Sequence, residues 1–378
     1  MVNYVLVADD VLVNRKLMKS VLKKLEDVEF IDAANGIEAL EIITQREIDL
    51  VILDLMMPDL DGFGFLKAIK EMPNHRDIPV IVSSALDDEN SIGRALDMGA
   101  YDYFTKPLSP MQIKVTLPLK VKNALDSYHQ KRSLSRINSI MRQEMRIAGN
   151  FQNHLVPSNQ DMGCVVMFAE YHPAIEVGGD FFDIEKIGGA VWFIIADVSG
   201  HGVASAMIAS MIKVEFRSAI ANTASIGEVF TRMNVTFSSL LGDHYITAIL
   251  GRIHGSTMSL VNAGHPNPYI YRLADDTIET FEARGKALGM FADADYDEVN
   301  LEIQPGDCLI LFTDGLVQGG YARQGNLYGD KLLDAFLENR QLLQHTPETF
   351  INKVILGCDV AGDDGLEDDV ALMVIKVQ

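Results

Sequence analysis

The sequence predicts a multidomain protein in which an α/β part and an α+β part are joined by a helical connector. Its 378 residues exceed what one hydrophobic core usually serves. Near the start, short β-branched runs alternate with amphipathic stretches, which is typical of a parallel sheet with helices on both faces. Beyond residue 160, β runs are separated by glycine turns, which favours antiparallel sheets flanked by helices. We expect domains at 1–122 and 159–378, with a helical coiled-coil linker at 123–158.

Composition narrows the classes of partner. The formal net charge of −21 argues against binding to nucleic acid or to anionic membranes, since both require a basic face. Cys164, Cys308 and Cys358 show no CxxC spacing, so neither a disulfide framework nor a zinc site is indicated. The apolar runs are too short to span a bilayer, and the first residues lack the basic lead of a signal peptide. We expect a soluble, cytoplasmic protein.

In the first part, predicted strands and helices alternate strictly: strand Tyr4–Ala8, helix Val13–Leu25, strand Phe30–Ala33, helix Gly36–Gln45 and strand Leu50–Leu55. Open parallel sheets bind ligands at the carboxyl ends of their strands. Three acids, a hydroxyl and an amine occupy those ends, namely Asp9, Asp10, Asp54, Ser84 and Lys106. These side chains should therefore converge.

The chemistry of this set is coherent. Asp9 and Asp10 would hold Mg²⁺, and Asp54 would be the carboxylate nucleophile that accepts a phosphoryl group. Lys106 would neutralise charge on the phosphoryl oxygens, and Ser84 would hydrogen-bond the acyl phosphate. Taken singly, an Asp-Asp pair at a strand end is an ordinary solvated turn; several features in register favour a site.

Four segments, VLVADD, VILDLMMPDLDGF, PVIVSSA and YDYFTKP, resemble the response-regulator receiver domain, which has a flavodoxin-like, doubly wound fold. The resemblance implies that Met56 lends its backbone carbonyl to the Mg²⁺ site beside Asp9, Asp10 and Asp54. It also implies that Gly62 shapes the following loop and that the Lys106–Pro107 bond is cis. Tyr103 would be the aromatic switch residue that reorients on phosphorylation, together with Ser84 and Lys106.

The connector carries a stripe at steps of three and four, interrupted by one charge: Leu134, Ile137, Met141, Glu144, Ala148, Phe151 and Leu155. Such a seam predicts helices that pack side by side, so we expect a homodimer. The alternative is that the stripe packs on its own domain. Pro118 predicts a kink or break, and Pro157 predicts the end of the helix.

The last part contains the predicted strands Val165–Tyr171, Ala190–Val198, Tyr245–Ile253, Thr257–Asn262, Tyr269–Leu273, Cys308–Thr313 and Val370–Val377. Predicted helices cover Ala204–Ala221, Ile226–Leu241 and Asp330–Asn339. Acids recur at the strand ends in the motifs GGDFFD, ADVSGHG, FTDG and DDVALMVIK. Glycine beside an acid lets backbone carbonyls approach a cation closely. The acids Asp180, Asp197, Asp314 and Asp368 are therefore predicted to form a binuclear metal site, which activates water for phosphoryl transfer.

Other patterns have simpler interpretations. Asp363-Asp364-Gly365 reads as a turn. The run Gly200-His201-Gly202 is only superficially a dinucleotide loop, because Asp197 would repel a phosphate there. The spacing of His201 and His265 does not suggest zinc.

The last part of the chain resembles metal-dependent PPM-type protein phosphatases of the SpoIIE and RsbU-like branch, whose fold is an α-β-β-α sandwich. The resemblance is carried by the segments FQNHLVP, GGDFFDI, ADVSGHGVASAM, NAGHPNPY, LFTDGLVQ and DDVALMVIK. The resemblance implies two Mn²⁺ or Mg²⁺ ions. Asp197 would bridge them, the Val198 carbonyl would complete one ligand shell, and Asp314 and Asp368 would bind the other ion. Asp180 would orient a metal-bound water.

Some residues stay ambiguous under this resemblance. Asp183 or Asp369 could exchange roles with their neighbours, and His201, His265 and Asn262 could be structural or catalytic. Ala371 stands where the family often has a hydroxyl residue. The arginine with which animal members grip substrate phosphate has no visible match.

Together these resemblances imply a two-component response regulator. A sensor histidine kinase would phosphorylate Asp54 and so control a serine/threonine phosphatase, which would act on a phosphorylated anti-sigma-factor antagonist of the STAS type. The alternative is a catalytically silent adaptor that binds a sigma factor or another regulatory partner. The retained carboxylate set favours the enzyme.

Overall fold

The computed structural model describes residues 2–25, 27–84, 89–223, 225–317, 328–357, 366 and 368–378, without the side chains of residues 84, 89 and 328–331. The chain divides into two compact units, Met1–Ile140 and Met141–Gln378. Within the described ranges, no helix has both the length and the hydropathy needed to cross a membrane.

The first unit is built around a five-stranded parallel sheet in the order β2-β1-β3-β4-β5. Its strands are β1 Asn3–Ala8, β2 Val28–Ala33, β3 Leu50–Asp54, β4 Val80–Ser84 and β5 Asp102–Thr105. Its helices are α1 Leu12–Leu22, α2 Gly36–Gln45, α3 Gly62–Glu71 and α4 Glu89–Asp97. Every residue of β3 is buried, as expected for a central strand covered on both faces. The predicted α/β fold is confirmed.

A π-helical turn, Gln112–Thr116, leads directly into the long helix α5, Leu117–Asn153. Pro118 therefore lies inside a continuous helical segment, directly after the π-helical turn, and such a turn interrupts the regular α-helical hydrogen-bond ladder. The helix ends before Pro157, as predicted. Leu134, Ile137, Met141 and Phe151 of the predicted stripe are each more than half exposed.

The second unit contains two antiparallel sheets, in the orders β14-β11-β10-β9-β8 and β13-β12-β15-β16-β7-β6. The strands are β6 Gln160–Asp161, β7 Val165–His172, β8 Phe181–Ile187, β9 Ala190–Val198, β10 Ile246–His254, β11 Thr257–Ala263, β12 Tyr269–Arg272, β13 Thr277–Thr280, β14 Val299–Glu302, β15 Cys308–Phe312 and β16 Val370–Val377. The helices are α6 Val203–Asn222, α7 Ile226–Ser238, Tyr328–Asn339, Leu342–His345 and Pro347–Gly357. The predicted α+β sandwich is confirmed.

Strand alternation assigns each side chain of these sheets to one of two layers. Phe182, Ile195 and Met373 belong to the apolar layer that the two sheets share. Their strand neighbours face helices instead: Ile194 packs with α6 and α7, and Leu372 with the C-terminal helices. Side chains that lie just beyond the ends of these strands and have the same parity extend the shared layer. They meet at one edge of the sandwich.

Candidate functional sites

In the first unit, three predicted acids come together at the carboxyl ends of β1 and β3. Carboxylate oxygens of Asp9, Asp10 and Asp54 lie within 4.8 Å of one another. The Lys106 Nζ donates to Asp9 Oδ2 at 2.6 Å and to Asp54 Oδ2 at 2.7 Å. Asp9 is held further by Val11 N at 2.9 Å and Asn14 Nδ2 at 3.1 Å. The arrangement gives a partly neutralised carboxylate pocket.

In this pocket, burial and the Lys106 ion pairs have opposing effects on the pKa values of the charged groups. Burial raises the pKa of Asp54, and the hydrogen bond from Lys106 opposes that rise. Burial disfavours the charged amine of Lys106, yet the hydrogen bonds to Asp54 and Asp9 leave its pKa raised. Three oxygen donors facing one another are the ligand type that Mg²⁺ prefers, so the residues fit that cation.

The loop after β3 is shaped as predicted. A Cβ on Gly62 would lie 2.4 Å from the backbone oxygen of Asp54, so only glycine fits there. Asp61 caps α3 by accepting a hydrogen bond from Gly64 N at 2.7 Å. The Lys106–Pro107 bond is cis, as the resemblance implies.

The remaining predicted residues of this pocket have different outcomes. Met56 donates its N–H to Asp54 Oδ1 at 3.3 Å, while the role of its carbonyl stays a prediction. Tyr103 is partly buried, and the Lys120 Nζ lies 5.5 Å from its ring centroid. Ser84 ends β4, but its side chain lies outside the described part of the structure.

In the second unit, Asp180 and Asp197 meet at the edge of the shared layer. The Asp180 carboxyl is buried, accepts a hydrogen bond from Thr313 Oγ1 at 2.7 Å, and lies within hydrogen-bonding reach of Asp197. Burial and the charge of Asp197 raise the pKa of Asp180 well above its usual range. Burial, followed by the charges of Asp314 and Asp368, raises the pKa of Asp197 to about 7.

Asp314, Asp368 and Asp369 complete the group of neighbouring acids. Burial and the charge of Asp368 raise the pKa of Asp314. Asp369 accepts hydrogen bonds from Ala174 N at 2.8 Å and Gly179 N at 2.6 Å, and burial still raises its pKa. Asp369 thus fastens the loop that carries Asp180.

Close backbone packing holds this loop in place. A Cβ on Gly178 would lie 2.4 Å from the Asp369 carboxyl carbon, and one on Gly179 would lie 2.8 Å from the Val198 carbonyl oxygen. A Cβ on Gly315 would lie 1.9 Å from the backbone oxygen of Asp369. The glycines of the motifs therefore let the acid-bearing segments approach one another.

Thr313 is a site residue that sequence reasoning missed. Its hydroxyl donates to Asp180 and accepts the N–H of Ala371 at 2.8 Å. The backbone of residue 371 thus supports Thr313, although Ala371 has no hydroxyl of its own. Leu309, Leu311 and Thr313 alternate along the chain, so Thr313 faces the same shared layer as the two leucines. A polar residue at the next position of an apolar strand face is the sequence signal that could have identified it.

Asp183 does not exchange with the site acids. It is fully buried within β8 and pairs with Lys213 Nζ and Arg217 Nε, both at 3.0 Å. Asp183 lies two residues after Phe181 in β8, so both side chains point to the face of the sheet that the helices cover. The Asp183 side chain therefore points away from Asp180 and Asp197. Its role is to anchor α6.

The last turns of α5 hold the loop from its other side. The buried Gln152 side chain donates to the Gly178 carbonyl at 2.6 Å and accepts the Gly178 N–H at 3.1 Å. A Cβ on Gly149 would lie 2.0 Å from the Glu176 carbonyl oxygen. Gln152 was also missed, because nothing in a helical stripe marks a polar residue as a loop anchor.

His265 and Asn262 form a hydrogen-bonded network with Thr247, in which the buried His265 Nε2 has no partner among the described residues. Asn262 bonds the backbone of His265 twice, through Oδ1 at 2.8 Å and Nδ2 at 2.9 Å. The His265 Nδ1 and Thr247 Oγ1 are hydrogen-bonded at 2.9 Å. Burial lowers the pKa of His265 to about 3, so the ring is neutral near pH 7. These contacts describe a structural role; His201 is exposed.

The acid cluster suits hard divalent cations. The buried Asp180 and the partly buried Asp197 and Asp314 have raised pKa values, to which the charges of neighbouring acids contribute, and a bound cation would offset that repulsion. All the donors are oxygens, which favours Mg²⁺ or Mn²⁺ over softer metals. Among the described residues, only Asp9, Asp10 and Asp54 bring three such ligand atoms within 4.8 Å of one another. The donor chemistry of the second cluster therefore suits a divalent cation, and the number of ions stays a prediction.

Comparison with known proteins assigns both units. Residues 5–117 are a response regulator receiver domain, and residues 187–378 match the stage II sporulation protein E (SpoIIE) family. Because that second match spans just over half of the chain, the protein belongs to the SpoIIE family. Among curated relatives, it is 27% identical over 201 residues to the phosphoserine phosphatase RsbU of Bacillus subtilis. The aligned region covers 51% of this chain and 58% of RsbU.

The other relatives agree with this division. The probable transcriptional regulator ycf27 of Cyanidium caldarium is 39% identical over 115 residues, covering 30% of this chain and 45% of that protein. The chain thus spans about half the length of the curated relatives that it matches. The solved SiaA-PP2C domain of Pseudomonas aeruginosa shares the fold with a TM-score of 0.54, 18% identity, and coverage of 64% of this chain and 99% of that one. The RsbU and RsbW domains of a Mycobacterium tuberculosis protein match with a TM-score of 0.50, 22% identity, and coverage of 59% and 61%.

Proposed function

We propose that the second unit is a metal-dependent phosphoprotein phosphatase for serine or threonine phosphates and that the first unit regulates it. The observation that carries this proposal is the buried Asp180, which accepts a hydrogen bond from Thr313 and lies beside the partly buried Asp197, with Asp314, Asp368 and Asp369 as neighbouring charges. Such a group has little use in an adaptor, because uncompensated buried carboxylates are costly. Its residues suit a hydrolase that needs no serine or cysteine nucleophile.

In this proposal each acid has a part in binding. Asp197 and the Val198 carbonyl would hold one divalent ion, Asp197 would also reach a second, and Asp314 and Asp368 would hold that second ion. When bound, the ions would supply an activated water and neutralise the phosphoryl oxygens. Asp180, fixed by Thr313, would orient that water.

For the receiver, we propose that Asp54 accepts a phosphoryl group from a sensor histidine kinase and that Mg²⁺ bound by Asp9, Asp10, Asp54 and the Met56 carbonyl assists. Lys106 is already paired with Asp54 and would follow the new phosphoryl oxygens. We also propose that the exposed stripe of α5 pairs two chains into a homodimer. The protein substrate is proposed to be a phosphorylated anti-sigma-factor antagonist, in keeping with the similarity to RsbU.

Hydrolysis of p-nitrophenyl phosphate and of a phosphoserine peptide, with Mn²⁺ and in EDTA, tests the phosphatase. We expect Mn²⁺-dependent turnover that falls at least about a hundredfold in Asp197→Ala and Asp314→Ala, since each change removes a carboxylate that the ions need. Asp297→Ala, which removes an exposed acid, should keep full activity. A complete lack of turnover, with Mn²⁺ and a phosphorylated receiver, would favour the silent adaptor instead.

A further inference from the structure

A groove of about 650 Å³ opens beside Asp314 in the second unit. Its walls come from two segments, the loop around Asn262 and His265 and the segment around Arg284. Thr247 also lines the groove, and Thr247 is the cross-strand partner of Asp197 in the β10–β9 register. Opposed residues of an antiparallel pair share one face, so the groove begins at the acid cluster.

The backbone of the Arg284 segment is fixed against the opposite wall. A Cβ on Gly285 would lie 2.1 Å from the Asn262 backbone oxygen, so this segment packs directly on the end of β11. Gly264, with φ of 72°, lies opposite the same segment, where a Cβ would make only ordinary van der Waals contact with Ala287 N, at 3.5 Å. The Arg284 backbone therefore has a defined place at the rim.

The Arg284 side chain itself remains accessible. It is 87% exposed, and its contact with the exposed Glu282 carboxylate, at 3.2 Å, is the weak kind of surface pair. Because His265 is neutral near pH 7, Arg284 carries the only permanent positive charge among the groove-lining residues, all of which are described. One cation at the rim of an otherwise acidic site points to an anionic group of the ligand.

We propose that this groove receives the chain segment flanking the phosphorylated residue of a protein substrate and that Arg284 binds an acidic side chain of that segment. The inference rests on the proposed phosphatase function. The exposed rim position favours a flanking carboxylate over the reacting phosphate, which must reach the buried acids. Arg284 is thus a specificity-determining residue, and a planar guanidinium suits bidentate carboxylate binding.

The test compares two phosphoserine peptides that differ only in flanking residues, Asp and Glu in one and Asn and Gln in the other. Values of kcat/KM are measured with Mn²⁺ for the unaltered protein, Arg284→Ala, Arg284→Lys and the matched control Lys286→Ala, with p-nitrophenyl phosphate alongside. Lys286 lies two residues away, with its Nζ 4.6 Å from the Phe291 ring centroid, and does not line the groove. Fluorescence anisotropy with labelled versions of both peptides gives their Kd values without turnover.

We expect the unaltered protein to prefer the acidic peptide, and Arg284→Ala to lose about fivefold in kcat/KM for that peptide alone. Arg284→Lys should keep part of the preference, and Lys286→Ala should keep it all. An equal loss with p-nitrophenyl phosphate, an equal loss in Lys286→Ala, or no preference in the unaltered protein would each overturn the proposal. If nothing is hydrolysed while anisotropy shows an Arg284-dependent preference, the phosphatase proposal fails and the groove assignment stands.

Discussion

The two carboxylate sites of this protein handle buried negative charge differently. In the receiver, Lys106 pairs with both Asp9 and Asp54, so an internal cation offsets much of the charge. In the SpoIIE-family unit, the described partners of Asp180 and Asp369 are a hydroxyl, backbone N–H groups and other carboxyl groups. Burial raises carboxyl pKa values in both sites; Lys106 opposes the rise in the receiver, whereas neighbouring acids add to it in the second unit.

The difference indicates two uses of the same side chain. A carboxylate beside a lysine stays ionised and can act as a nucleophile, with one exchangeable cation assisting it. Carboxylates that repel one another favour cations that become lasting parts of the site.

Single substitutions should separate the two sites completely. Asp54→Asn removes the proposed acceptor, so labelling by a small-molecule phosphodonor should vanish while Mn²⁺-dependent p-nitrophenyl phosphate hydrolysis stays within about twofold. Asp197→Asn should do the reverse, with hydrolysis reduced at least about a hundredfold. Labelling that survives in Asp54→Asn would contradict the assignment of that acceptor.

Lys106→Met should make the receiver resemble the second site. With its cation gone, the Asp9 and Asp54 pair would destabilise the receiver by about 3 kcal/mol in EDTA, because an uncompensated buried charge remains. Mg²⁺ should restore most of that loss. Thermal unfolding of the variant in EDTA and in Mg²⁺ measures both effects, and equal melting temperatures in the two buffers would show that Mg²⁺ does not replace the lysine charge.

Thr313→Val tests the hydroxyl that takes the place of a cation at Asp180. We expect a loss of about 10- to 100-fold in kcat, the usual effect of removing a support for a metal-site acid. Thr313→Ser keeps the hydroxyl and serves as the control. Activity in the valine variant within about twofold of normal would show that Asp180 needs no such support.

His265 is neutral near pH 7 and therefore adds no positive charge to the second site. The pH dependence of the folding stability tests this. Burial lowers its folded-state pKa from 6.5 to about 3, so its contribution to stability is complete above pH 6.5 and is lost as pH falls towards 3. Between pH 7 and pH 5, the stability difference between the unaltered protein and His265→Asn should change by about 2 kcal/mol against the histidine. Denaturant unfolding at both pH values measures it; a constant difference would indicate a histidine that protonates in the fold.

The sequence was most informative where an acidic residue lies close to a glycine at the end of a predicted strand, and less so elsewhere. Asp54, Asp180 and Asp197 could be placed because each lies at or next to an end of a strand, and the strand alternation then decides which layer they face. The edge strands β13 and β14 were missed because their residues are mostly exposed and lack an apolar run. The helix Pro347–Gly357 was missed although Thr346, Pro347 and Glu348 form a recognisable start signal.

Contacts between distant segments were the least predictable part. Thr313 and Gln152 act through partners more than twenty residues away, so neither spacing nor composition reveals them. Whether a polar residue is solvated or serves as an anchor depends on what the fold brings to it. By contrast, the exposed stripe of α5 was visible at once, because surface periodicity is a local property.

The paired hydrogen bonds between Gln152 and Gly178 imply a thermodynamic linkage. If binding at Asp180 and Asp197 favours the anchored loop, then anchoring must favour binding by the same factor, since coupling free energies are reciprocal. Amide hydrogens at residues 149–153 should therefore exchange more slowly when divalent cations are present. The last turns of α5 would report on occupancy of a site to which they contribute no ligand.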